Sequence, residues 1–222
     1  MTRMSMPIRI AVSALAFAAI AAPAFAEDAA GPVEPKPKYC TAEPVALDTL
    51  LALGKTAATP AAESGSLAGI TEIAIDGLPA GTAADEETTK AIQDLELIYA
   101  SCYNKGDFLR AAALLTTHGQ ASLAESAADP AVAALFATPE PFKKDQRIPA
   151  IEVSQIQLLE DGTAAAIVKW APGDPRQEVN LHLYTKGDDG LWYLDREISV
   201  TGVEVPAGTP AAEPAAAATP SA

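Results

Sequence analysis

The chain has 222 residues and a formal charge of −14, with 15 Lys and Arg against 29 Asp and Glu. That balance excludes nucleic acid as a partner, because phosphate binding needs clustered cations, and it disfavours anionic membrane surfaces. Hydrophobic residues make up 49% of the chain but aromatics only 5%. Much of the apolar content is alanine near the two ends, so a single core must come from the larger residues between 86 and 205.

The chain opens on a secretory pattern. Arg3 and Arg9 form a positive n-region, Ile10 to Ile20 an apolar h-region, and Ala24-Phe25-Ala26 an A-x-A site followed by Glu27. Cleavage between Ala26 and Glu27 makes the mature protein an exported one, periplasmic or extracellular. No second stretch is apolar for long enough to span a bilayer. Cys40 lies too far from the cleavage site to be a lipoprotein's acylated cysteine. Residues 27–39 read as an extended Pro-rich linker. A short helix is expected over 43–54, with Pro44 in its first turn and Gly54 closing it. Residues 55–84 read as a loop with one apolar island, Ile70 to Ile75, suited to a short strand.

The domain proper is expected over 86–205. Asp85, Glu86 and Glu87 sit where a helix N-terminus favours negative charge. The helix over about 88–104 carries Ile92, Leu95, Tyr99 and Cys102 on one stripe. Gly106 fits its C-terminal end and Asp107 the N-cap of the next helix. A third helical patch covers 120–127. A fourth covers 130–137, with Asp129 as cap and Pro130 in its first position. The periodicity then switches to two, and strands are expected at 147–159, 163–171, 177–186 and 191–200. Asp161-Gly162 and Gly187 to Gly190 mark hairpin turns. Helices followed by an antiparallel meander give an α+β fold, N-terminal helices packed on a curved antiparallel sheet, with a disordered Ala- and Pro-rich tail over 206–222.

A long helix ending in Asn104-Lys-Gly-Asp107, an Asp-Gly-Thr-Ala turn at 161–164 and a last strand opening on Asp189-Gly-Leu-Trp192 resemble the cone-shaped superfamily of nuclear transport factor 2, the ketosteroid isomerases and the polyketide cyclases. Ala100 to Arg110 and Cys40 to Pro44 also resemble secreted bacterial proteins of that fold. The resemblance covers about 86–200. It implies a cystatin-like cone with a pocket between the first long helix and the concave sheet face. A superfold of this kind transfers no activity.

Cys40 and Cys102 are the only cysteines in an exported chain and are expected to pair. If the last hairpin turns at Gly187–Gly190, His182 faces Asp195, a pair suited to acid–base work. The same register puts Leu183 opposite Leu194 and Val179 opposite Ile198. That apolar side is expected to be concave, leaving His182 and Asp195 on the convex face as an ion pair or a contact in a homodimer. Tyr99, Tyr103, Leu183 and Leu194 are the expected pocket-lining residues. His118 has no partner at metal-ligand spacing, and Asp188-Asp189 lacks the further oxygens calcium needs, so no metal or cofactor is expected. The functional expectation is a secreted non-catalytic domain binding a small apolar or amphipathic ligand, or an interaction domain with a filled cone. An isomerase, cyclase or dehydratase acting in the cavity is the alternative.

Overall fold

The computed structural model describes residues 31–56, 67, 70–127 and 129–202. The leader with its Ala26–Glu27 cleavage site and the tail over 206–222 lie outside the described residues. Among the described residues, five α-helices pack on a six-stranded sheet curled into a half-barrel, an α+β architecture.

Helix α1 spans Leu47–Thr56. It starts later than Pro44 suggests: the Leu50 amide donates to the Ala46 carbonyl (3.1 Å) at its first turn, and the Val45 amide ahead of it donates to the Leu109 carbonyl (3.1 Å). Leu50, fully buried, anchors α1 in a cluster with Ala112, Ala124, Ala127 and Phe136. Helix α2 runs over Glu86–Asn104, capped by Asp85, whose carboxylate accepts from the Thr88 amide at 2.7 Å. At its C-terminal end Gly106 has φ +66°, and a Cβ there would lie 2.1 Å from the Glu140 carbonyl oxygen, so only glycine fits. Helices α3 (Phe108–Ala112), α4 (Thr117–Ser126) and α5 (Pro130–Ala137) follow, capped by Asp107, Thr116 and Asp129.

The strands are β1 (Glu72–Ala74), β2 (Thr82–Ala83), β3 (Ile151–Leu158), β4 (Ala164–Trp170), β5 (Glu178–Lys186) and β6 (Trp192–Thr201). They lie in the order β1-β6-β5-β4-β3-β2. β3 to β6 form the expected meander. Both sheet edges come from ahead of residue 86: β1 pairs parallel with β6, and β2 antiparallel with β3.

The sheet is buried on both faces. On the concave side Ile92 and Leu95 of α2 pack on Val153, Ala164, Ala166, Val168, Tyr184 and Leu194. On the convex side Ala165, Ile167, Val179, Leu181, Leu183 and Ile198 are covered by Leu67, Ile70, Ile73 and Leu78 of the segment before α2. The expected faces are therefore corrected. Leu183, Val179 and Ile198 are convex, and of that group only Leu194 is concave. The apolar alternation misled because the chain supplies its own cover for the convex face.

The hairpin register also differs. Lys186 pairs with Trp192 and Tyr184 with Leu194, while Leu183 pairs with Arg196 and His182 with Glu197. Asp195 is the extra residue of a β-bulge, and one unpaired residue reverses the facing of everything beyond it. His182 is thus concave and does not meet Asp195.

The Cys40–Cys102 disulfide is formed and fastens the segment around 37–40 to α2. With its ends 62 positions apart in sequence, the chain-entropy relation gives it about 4 kcal/mol. Reduction is expected to lower the urea midpoint accordingly, and Cys40→Ser to reproduce the loss; coincident curves would mean that the arm is held without it. Two-sided burial also has a consequence. Leu181, 2% exposed on the convex face, should cost about 2–5 kcal/mol on truncation to Ala. Leu135→Ala, at a site 53% exposed, should stay within about 0.5 kcal/mol in the same titration.

Candidate functional site

Three polar side chains meet where α2 crosses the concave face of β5. Glu96, His182 and Tyr184 each have no exposed surface. His182 Nδ1 lies 2.9 Å from Glu96 Oε1, and the Tyr184 hydroxyl donates to the same oxygen at 2.9 Å. A carboxylate oxygen only accepts, so Nδ1 carries the proton that points at Glu96. Glu96 Oε2 and His182 Nε2 have no hydrogen-bond partner, and neither has the nearby Trp170 Nε1. The Trp170 ring stands edge-on to His182, with centroids 6.5 Å apart.

Local sequence explains the meeting. Glu96 follows Ile92 by four residues and precedes Tyr99 by three, so it lies on the inward stripe of α2. His182 and Tyr184 are two apart on β5 and share its concave face. Burial opposes the imidazolium of His182, but the charges of Glu96 and Glu197 and the hydrogen bond to Glu96 outweigh it and hold the pKa above the ordinary value. Burial, then the Glu96 charge and hydrogen bond, push the Tyr184 phenol well above its usual range. Tyr99 is raised likewise, by burial first and then by the carboxylates of Glu197 and Glu96.

A groove of about 390 Å³ opens beside this cluster. Its floor is Tyr99, Leu194 and Glu197. One wall is Leu115, His118, Ser122 and Leu123 from the start of α4 and the turn before it; the other is Ile70 and Thr71. The groove occupies a gap along the free edge of β6. On one side of the gap Leu194 exchanges backbone bonds with Leu114 and Thr116, both 2.9 Å; on the other, Ser199 donates to the Thr71 carbonyl at 3.1 Å. Leu194 and Ser199 therefore turn their main-chain groups outward. Strand alternation across the bulge turns those of Glu197 outward as well, into the gap.

The bulge aims Asp195 at the N-terminus of α4. Its carboxylate accepts from Thr116 Oγ1 at 2.5 Å and lies 3.6 Å from His118 Nδ1. Gly119 lets α4 come this close: a Cβ there would be 3.1 Å from the carbonyl oxygens of Leu194 and Asp195. A second groove of about 490 Å³ lies beyond Asp195, lined by Leu67, Thr116, His118, Leu183 and Thr185 among others.

Of the expected lining residues, Tyr99 and Leu194 do line the groove beside the cluster. Leu183 lines the second groove, from the convex side. Tyr103 is spent on aromatic packing with Phe108, Phe142 and Trp170. Asp189 is a hairpin-tip residue, accepting from the Leu191 amide (3.0 Å) and the Tyr193 hydroxyl (2.6 Å). Sequence reasoning missed Glu96 and Glu197; a carboxylate on the inward stripe of α2, between Ile92 and Tyr99, was the signal for Glu96, while Glu197 reaches the groove only through the bulge at Asp195. Comparison with protein-family models, with curated proteins and with solved structures finds no match.

The raised His182 gives a signed pH dependence. Its stabilising contribution is complete below the unfolded-state value of 6.5 and is lost as pH rises through the higher folded value. The urea midpoint is expected to fall from pH 6 to pH 9, with the His182 ring resonances titrating over the part of that range above 6.5. A midpoint constant across this range would show that folding leaves the His182 pKa unshifted, and a midpoint that rises from pH 6 would show that His182 stays neutral when folded.

Proposed function

We propose that this chain is an exported small-molecule-binding domain of the cone-shaped type that its motifs resemble, and that its ligand sits in the β6-edge groove rather than inside the cone. The observation that supports this most directly is the groove itself. Its 390 Å³ falls in the size range of small-ligand sites, and its floor residues Tyr99 and Glu197 border a buried polar cluster. The cone interior is filled by Ile92, Leu95, Val168, Tyr184 and Leu194, which argues against a ligand at its centre. The disulfide agrees with folding in an oxidising compartment. No helix among the described residues is long and apolar enough to cross a membrane.

A second reading is acid–base chemistry. It draws on one feature, the unpartnered Nε2 of His182 beside an unpartnered Glu96 Oε2. A histidine oriented by a carboxylate through Nδ1 is the usual construction of a general base.

A screen of amphipathic fragments against the isotopically labelled protein tests both readings. Binders should perturb Tyr99, Leu115, Ser122, Leu194 and Glu197. Ser122→Trp, at an exposed groove position, should abolish binding while leaving the remaining amide spectrum in place. Perturbations confined to other surfaces would defeat the binding reading. Chemical conversion of a bound fragment, lost in His182→Asn, would put the enzyme first.

A further inference from the structure

We propose that the β6-edge groove selects a small organic cation, an ammonium group carried on an apolar body, with Glu197 as its counter-ion. This rests on the binding reading and names the ligand class for that same groove.

Among the charged residues lining the groove, Asp195 is held by Thr116 and His118 (2.5 and 3.6 Å). Arg196 faces the convex side, where its Nη1 donates to the Leu67 carbonyl at 2.8 Å. Glu197 differs from both. It is exposed, it lies on the groove floor, its carboxylate has only the uncharged Tyr99 phenol as a hydrogen-bonding neighbour, and it forms no ion pair with any described residue. Its main-chain N–H and carbonyl turn into the same gap, so the carbonyl adds a second acceptor beside the charged one, with the N–H left for a polar group of the ligand.

The surroundings suit the rest of such a ligand. Leu115, Leu123 and Leu194 offer apolar contact and Tyr99 an aromatic ring, a combination that favours alkyl or aryl amines over hydrated metal ions. At a charge of −14 the whole chain also repels anions. Glu197 carries the selectivity because charge complementarity in a partly desolvated groove separates a cation from its neutral isostere, whereas the apolar walls treat the two alike.

The test uses three probes of one shape on the full chain: phenethylamine, 2-phenylethanol and phenylacetate, titrated by amide chemical shifts. The amine is expected to bind at Tyr99, Leu115, Leu194 and Glu197 at least about tenfold more tightly than the alcohol, about 1.4 kcal/mol, with phenylacetate weaker still. Glu197→Gln should erase the preference for the amine and leave the alcohol's affinity unchanged. Glu34→Gln, on the arm beside β3 and three strands from β6, should leave the preference intact and so separate a local contact from attraction to the whole acidic chain. Amine binding should also lower the His182 pKa, because it neutralises a charge that raises it. Equal groove affinity for amine and alcohol would overturn the cation assignment and leave the binding reading standing. Loss of the preference equally in both glutamate variants would overturn the assignment to Glu197. If none of the probes perturbs the groove, both readings fall.

Discussion

The inner layer depends on a carboxylate that has been taken out of water. Glu96 is fully buried between α2 and β5, where an unpaired charge would cost several kcal/mol. Two donors compensate it, and both come from one strand at alternate positions, His182 and Tyr184. That arrangement fixes more than a charge. It sets the rotation of α2 about its axis, because only one helix face can present Glu96 to β5. It sets the axial position as well, because a shift of one residue on β5 would replace both donors by Leu181 and Leu183. Apolar packing alone tolerates such shifts more readily than a shared hydrogen-bonded oxygen does.

The second organising feature is the bulge at Asp195. Without it β6 would keep one alternation, and Leu194 and Ile198 would share a face. With it, Leu194 joins the concave cluster and Ile198 the convex one. The displaced carboxylate of Asp195 holds the start of α4 through Thr116 and His118. One extra residue thus lets an apolar strand serve two cores and fastens a helix to the sheet edge.

These features decide what was legible in the sequence. Helix ends were, because caps are local chemistry: Asp85, Asp107 and Asp129 each accept a backbone amide within three residues. The meander was, because period-two alternation and the Asp161-Gly162 turn are local too. Asn104-Lys-Gly-Asp107 was visible as a motif but not in its purpose. Asn104 is a buried hub that donates to the Pro35 and Ile148 carbonyls and accepts from the Ile148 amide, while Gly106 clears the Glu140 carbonyl. The assignment of faces was not legible. Alternation says which residues share a side but not which side is concave, and the usual inference assumes that only one face is covered. Here the island around Ile70 to Ile75 covers the other. The candidate site suffered from the same error, since His182 could find Glu96 only once its face was known.

Glu197 can be weighed against a blander role. Charged residues at exposed sheet edges keep strands from pairing with other chains, and a gap in the cover of β6 is a place for one. That role needs a charge in solvent and nothing more. It does not require the carboxylate to sit over Tyr99, whose phenol it helps to raise, or within electrostatic reach of a buried imidazole. Nor does it require three leucines around the gap, which would themselves invite association if no smaller apolar body occupied them. Edge protection accounts for the charge of Glu197. It leaves the apolar walls and the coupling to the buried cluster unexplained, and those are the features that a bound organic cation would use.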